Sequence, residues 1–119
     1  MSDPIKHECG VALIRLRKPL EYYREKYGTE LYGLKKLQML MNKQLNRGQD
    51  GAGLAVIKLD PQFGHRYIAR QRAKGTGAVS TLFERINKKY ASLDEKKVTD
   101  TDWLKKNFAY GGELLLGHL

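Results

Sequence analysis

One cysteine stands in the sequence, Cys9, two residues after His7 and directly before the apolar run GVALIRL. A thiol in that place is a small buried hydrophobe, a metal or redox ligand, or a nucleophile. A single cysteine cannot close an internal disulfide, and one Cys with three scattered histidines has no zinc-ligand spacing. Cys9 is therefore either inert packing or a group that reacts as a thiol. His7 could share a face with Cys9 in an extended segment and form a Cys–His dyad. His65 falls in a turn and is expected to be exposed, and His118 follows an apolar strand, where a satisfied structural histidine is the usual outcome.

The other segment dense in unusual backbone is RGQDGAG, residues 47 to 53, with three glycines between a long helical pattern and an apolar strand. Gly48 sits where a helix end uses a left-handed residue, while Gly51 and Gly53 allow tight turning and close backbone approach. A simple helix-to-strand connection explains the glycines. It explains Arg47, Gln49 and Asp50 less well, since polar residues held in a tight turn anchor it through backbone hydrogen bonds. The segment lacks the Lys-Ser/Thr of a Walker loop and precedes a strand rather than a helix. KGTGAVS, residues 74 to 80, does open a helix, but without a nucleotide fingerprint it reads as a flexible loop.

The elements that must position these residues follow from periodicity. Gly10 to Leu16 reads as a strand, apolar enough to be covered on both faces. Pro19 opens a helix from Leu20 to Lys26 that Gly28 stops. From Glu30 to Asn46 the residues Leu31, Leu34, Leu37, Met41 and Leu45 recur at helical spacing, leaving Lys35, Lys36, Asn42 and Lys43 to water; Met39 and Met41 are core rather than a partner-binding patch. GLAVIKLD and RYIARQR form a hairpin-like pair, and the arginines of the second mark a solvated face or edge strand. Val79 to Leu93 is a second amphipathic helix, with Thr81 and Glu84 at the spacing of a capping box. Thr99 to Asp102 offer N-caps for a short helix carrying Trp103 and Phe108, and GELLLGHL is a last buried strand. The pattern strand, two helices, two strands, two helices, strand resembles half of a layered α/β (α+β) sandwich more than a finished one.

A chain of 119 residues accommodates one domain or a piece of a larger one, and 41% hydrophobic with 29% charged residues fits a globular rather than a disordered chain. No apolar run approaches the roughly 20 residues that span a bilayer, and MSDPIKHE lacks the layout of a secretory signal, so no membrane association and a cytoplasmic location are expected. The formal charge of +9 is spread over the chain. It could draw an anionic partner, but no basic stripe interleaved with aromatics is evident, so nucleic acid is not expected.

ECGV before an apolar strand, Q-x-x-RGQDGAG from Gln44 to Gly53, and L-x-LGH from Leu114 to His118 occur in that order. Together they resemble the N-terminal glutaminase domain of class II glutamine amidotransferases, which are N-terminal-nucleophile hydrolases. With Gln49, the middle motif is most similar to the amidophosphoribosyltransferase branch; the glucosamine-phosphate synthase branch typically has Tyr there and asparagine synthetases Pro. The resemblance spans Glu8 to Leu119 and is least diagnostic over 18–30 and 78–108. It implies a four-layer αββα sandwich with mostly antiparallel sheets, a leader 1–8, and an N-terminal part of a glutaminase domain over 9–119. It implies Cys9 as the catalytic nucleophile once the leader is removed, with Arg47 and Gly48 lining the glutamine-binding pocket. The ammonia would go to phosphoribosyl pyrophosphate in a C-terminal phosphoribosyltransferase domain holding Mg2+, in a homo-oligomeric parent; no cofactor is expected in the fragment itself.

Two features depart from that pattern. Cys9 is still amide-linked to Glu8, so the chain as written is a precursor. The arginine-containing segment that grips the glutamine carboxylate and the Asn–Gly pair of the oxyanion hole would follow Leu119. Losing one oxyanion donor typically costs ~10²–10³ in rate, so the fragment is expected to be nearly inactive. Two alternatives stand beside this reading: a non-enzymatic basic binding module, and a glutaminase domain serving another amide acceptor.

Overall fold

The computed structural model describes residues 10–45, 51–61 and 64–119. Among them four strands and four helices follow the expected order: β1 (Val11–Arg15), α1 (Leu20–Tyr27), α2 (Tyr32–Lys43), β2 (Gly51–Ile57), β3 (Ile68–Lys74), α3 (Ala78–Ala91), α4 (Thr101–Asn107) and β4 (Leu114–His118). The strands form one antiparallel sheet in the order β1-β4-β2-β3, which makes the domain α+β. β2 and β3 pair as the expected hairpin, and arginine-bearing β3 is the sheet's edge among the described strands.

Local chemistry explains two of the helix ends. Gly28 ends α1 in the left-handed region at φ 78°, its N–H donating to the Arg24 carbonyl at 2.9 Å, a conformation in which a side chain would be strained. The Asp100 carboxylate caps α4 by accepting from the N–H groups of Asp102 and Trp103. The capping box expected at Thr81 does not form. The α3 N-cap is Gly77, four residues before Thr81, so Thr81 lies inside the helix and its hydroxyl donates back to the Gly77 carbonyl at 3.1 Å. α2 ends at Lys43, which leaves Leu45 beyond the helix and half exposed rather than on its apolar face.

α2 packs on β1 and β4, and α3 on β2 and β3, so both cover the same face of the sheet. The strand register puts Ile14, Leu115, Val56 and Ala69 in one row on that face. They meet Leu37 and Met41 of α2 and Val79, Leu82 and Ile86 of α3 in one core. Truncating a fully buried leucine such as Leu37 or Leu82 would cost roughly 2–5 kcal/mol. Met41 is core, as expected, whereas Met39 faces water.

Among the described residues the strands are covered on one face only, not on both as expected. Val11, Leu13 and Arg15, alternating with inward-facing Ala12 and Ile14, point away from the helices, and Val11 and Leu13 are 69% and 59% exposed. A dense apolar strand signals burial on both sides only when a second layer lies on each. Among the described residues no layer lies on this one.

One buried hydrogen bond ties α3 to the entry of α2. The Tyr90 hydroxyl donates to the carboxylate of Glu30, which is 7% exposed. Burial first, and the carboxylate second, push the Tyr90 hydroxyl up to about 12 from an ordinary 10.0. A raised acid favours folding in its protonated form, so this contribution is complete below pH 10 and fades as pH climbs through about 12. Tyr90→Phe should therefore cost about 1–3 kcal/mol at pH 7 by leaving a buried carboxylate without its donor. In urea titrations the gap from the parent protein should narrow between pH 10 and 12; a constant gap would show that the phenol does not ionise differently on folding.

Candidate functional site

The three motif residues with assigned chemistry, Cys9, Arg47 and Gly48, lie outside the described residues. Their flanking segments do not, and these meet at one end of the sheet. β1 begins there one residue after Gly10, β2 begins there at Gly51, and β4 ends there at His118. The register sets Val11 opposite His118, and His118 opposite Gly53. Adjacent strands lie about 4.8 Å apart, so segments separated by some 40 to 100 residues in sequence stand side by side. The Leu119 N–H donates to the Gly10 carbonyl at 2.9 Å, extending the β1–β4 ladder by one more bond.

Gln44 joins the same corner from the end of α2. Its side-chain amide donates to the Val11 carbonyl at 3.2 Å. A methyl group at position 10 would stand 2.3 Å from the Gln44 Oε1, so the closeness of these two segments requires Gly10. A Cβ at position 53 would come within 2.6 Å of His118 Nε2. Gly53 thus leaves the space that the His118 imidazole uses on the open face of the sheet. Gly117 serves the opposite face, where a Cβ would press on Met41 and Leu37 of α2. Each motif therefore contributes a residue whose lack of a side chain lets another motif, or the helix carrying it, come close. A glycine within a strand pattern was the sequence signal for such approaches, but not for which segments would meet.

Around that corner the open face turns from apolar to basic. One cross-strand row runs Val11, His118, Gly53, Arg72; the next runs Leu13, Leu116, Ala55, Arg70. Arg70, Arg72 and Lys74 are exposed, and the Arg72 backbone is braced by Arg85, whose guanidinium donates to its carbonyl at 2.9 Å. His118 is exposed at the end of β4 rather than buried as a satisfied core histidine. His65 is exposed in a turn, as expected.

A second polar cluster joins Lys58 and Glu113, which lie in apolar strand patterns, to Lys105 of the short helix α4, a meeting no local pattern records. Glu113 is 6% exposed; its carboxylate accepts from Leu59 N–H at 2.9 Å and pairs with Lys105 Nζ at 2.6 Å. Lys105 also donates to the Leu59 carbonyl at 2.6 Å, and Lys58 donates to the Lys105 carbonyl. Burial, and then the charge of Lys105, lower the Lys58 ammonium below its ordinary range against the opposing pull of Glu113. Every polar group here has a partner, so the cluster acts as a clasp holding α4 against the end of β2 and the entry to β4.

Among the described residues no group of three or more His, Cys, Asp or Glu side chains could hold a metal ion. A cleft between α1 and the start of α4 is lined by Glu21, Arg24, Glu25 and Asp102, but Asp100 is already engaged as the α4 cap. Compared with known proteins, the chain matches no family model, no curated protein and no solved structure.

Gly53→Ala tests the corner directly. The new methyl must displace His118 or shift β2, so a loss of about 1–3 kcal/mol is expected by chemical denaturation. It should come with a changed His118 ring resonance in NMR and an unchanged His65 resonance. An undisturbed His118 signal would show that the imidazole does not rest on Gly53.

Proposed function

We propose that this chain is the N-terminal part of a glutamine-hydrolysing amidotransferase in which Cys9 is the nucleophile. The observation that carries the reading is the meeting of the three motifs, through Gly10, Gln44, Gly53 and His118, at one end of one sheet. A site assembled from strand ends needs its motifs to lie together, and their adjacency supports the reading.

In this reading the leader 1–8 is removed and Cys9 becomes the first residue. Its α-amine, with an ordinary pKa near 8, takes the thiol proton directly or through one water. The thiolate attacks the carboxamide carbon of glutamine, and the resulting tetrahedral intermediate expels ammonia to leave a thioester. Water then hydrolyses the thioester to glutamate and regenerates the thiol. Arg47 and Gly48 border the substrate pocket, and no histidine is needed as base. The ammonia acceptor is phosphoribosyl pyrophosphate, bound with Mg2+ by a phosphoribosyltransferase domain of the parent protein; none of the steps above passes through that ion.

The four-layer αββα sandwich belongs to the same reading. It is supported by the open sheet face, where Val11, Leu13, Ile57, Ile68, Leu114 and Leu116 alternate with residues of the core. A second sheet stacked about 10 Å away would bury those side chains without altering the helix layer.

Two measurements on the parent protein test these proposals. Intact mass and N-terminal sequencing should find the mature chain starting at Cys9, and Cys9→Ala should reduce ammonia release from glutamine to background. Undiminished glutaminase activity in that variant would sink the assignment. For the layer arrangement, Leu13→Glu should destabilise the parent protein by more than about 2 kcal/mol, because a carboxylate would be buried between sheets. A change within about 0.5 kcal/mol would mean that the face stays in water.

A further inference from the structure

The α1–α2 corner gathers four tyrosines. Tyr23, Tyr27 and Tyr32 lie nearly parallel, with Tyr27 and Tyr32 centroids 4.4 Å apart and Tyr23 and Tyr32 5.2 Å apart. Tyr22 meets Tyr23 edge-on at 5.2 Å. The cluster is not sealed: Tyr22 is 36% and Tyr27 48% exposed. Three ammonium groups stand over these rings, Lys18 over Tyr22 at 5.8 Å, Lys26 over Tyr22 and Tyr27 at 5.6 and 5.5 Å, and Lys36 over Tyr32 at 5.8 Å. The acidic residues of α1, Glu21 and Glu25, line the cleft toward α4 with Arg24.

Packing alone accounts for Tyr23, whose hydroxyl also accepts the Arg17 N–H at 3.2 Å. Lys26 Nζ also donates to the Tyr22 hydroxyl at 3.2 Å, a contact within α1 that still leaves two exposed rings flanked by cations on a chain with a pI of about 9.7. We propose that the Tyr22–Tyr27 surface, with Lys18, Lys26 and Lys36, binds single-stranded nucleic acid. Tyr27 is the exposed member of the parallel stack and Tyr22 stands edge-on to it through Tyr23, so one base stacks on each exposed ring while the ammoniums meet the phosphates beside them, the combination by which sequence-tolerant single-strand binders work. A second copy of this chain fits poorly, because each would bring +9. An acidic peptide would satisfy the lysines and leave the stacked rings without a role. Lys18, Tyr22, Lys26 and Tyr27 stand within residues 18–27, and Tyr32 and Lys36 join them from the following helix. The surface is independent of the glutaminase reading.

Fluorescence anisotropy of the intact chain with labelled dT20, and with a polyglutamate peptide of equal length, tests the proposal between 50 and 200 mM NaCl. Binding of dT20 should weaken linearly in log–log form with salt. Replacing Lys18 and Lys26 together by Gln should lower that slope by about 1.4, roughly 0.7 per phosphate contact. Tyr22→Ala with Tyr27→Ala should weaken binding by about tenfold or more, whereas the corresponding Phe pair, which keeps the rings and the fold, should bind like the parent. Failure of dT20 to bind at 50 mM salt, equal affinity for polyglutamate, or an unchanged slope in the lysine variant would each overturn it.

Discussion

The insertion of β4 between β1 and β2 is the constraint on which the domain rests. Without it the sheet would be a lone strand and a hairpin, since among the described residues β1 has no other partner and β2 would keep only β3. β4 is formed by Leu114 to His118, so the first strand finds its partner about a hundred residues later. Such long-range pairing holds only if its register is fixed, because a slip of one residue would exchange the two faces. The register is fixed by Leu115 and Gly117 facing the helices, where Gly117 admits Met41 and Leu37, and by the clasp around Glu113 at the entry of the strand.

That same register builds the candidate site. Once Val11, His118 and Gly53 share a row, the ends of the three motifs have no separate freedom of position. The glycines at 10 and 53 then act as spacers, each making room for a polar side chain from another segment. The motif corner is thus a by-product of sheet closure, and anything that weakens β4 pairing weakens the corner as well.

The two faces of the sheet divide the molecule's roles. The helix-covered face carries the core. The open face carries exposed aliphatic side chains grading into the arginines of β3, an edge whose charge discourages pairing with another strand. A surface of this kind is poorly suited to water, which is why a second layer is a physically reasonable complement to it. The tyrosine-lysine corner of α1 and α2 involves residues from other parts of the chain and a different kind of contact, stacking and charge rather than aliphatic burial.

The sequence by itself determined what depends on neighbours within a few residues. The alternation of helical and strand patterns, the stop at Gly28, the Asp100 cap and the hairpin of β2 with β3 were all legible, since each is decided by local backbone energetics and periodicity. Tertiary structure decided what depends on distant partners. Thr81 matched a capping box but lay inside α3, because packing of Ala78 and Val79 against the sheet started the helix earlier. The apolar run of β1 suggested cover on both faces, yet a strand does not encode how many layers will meet it. Cys9 and RGQDGAG stand out by residue type alone, while the contacts Gly10–Gln44 and Gly53–His118 required the register of β4, which couples residues too far apart for any local pattern to record.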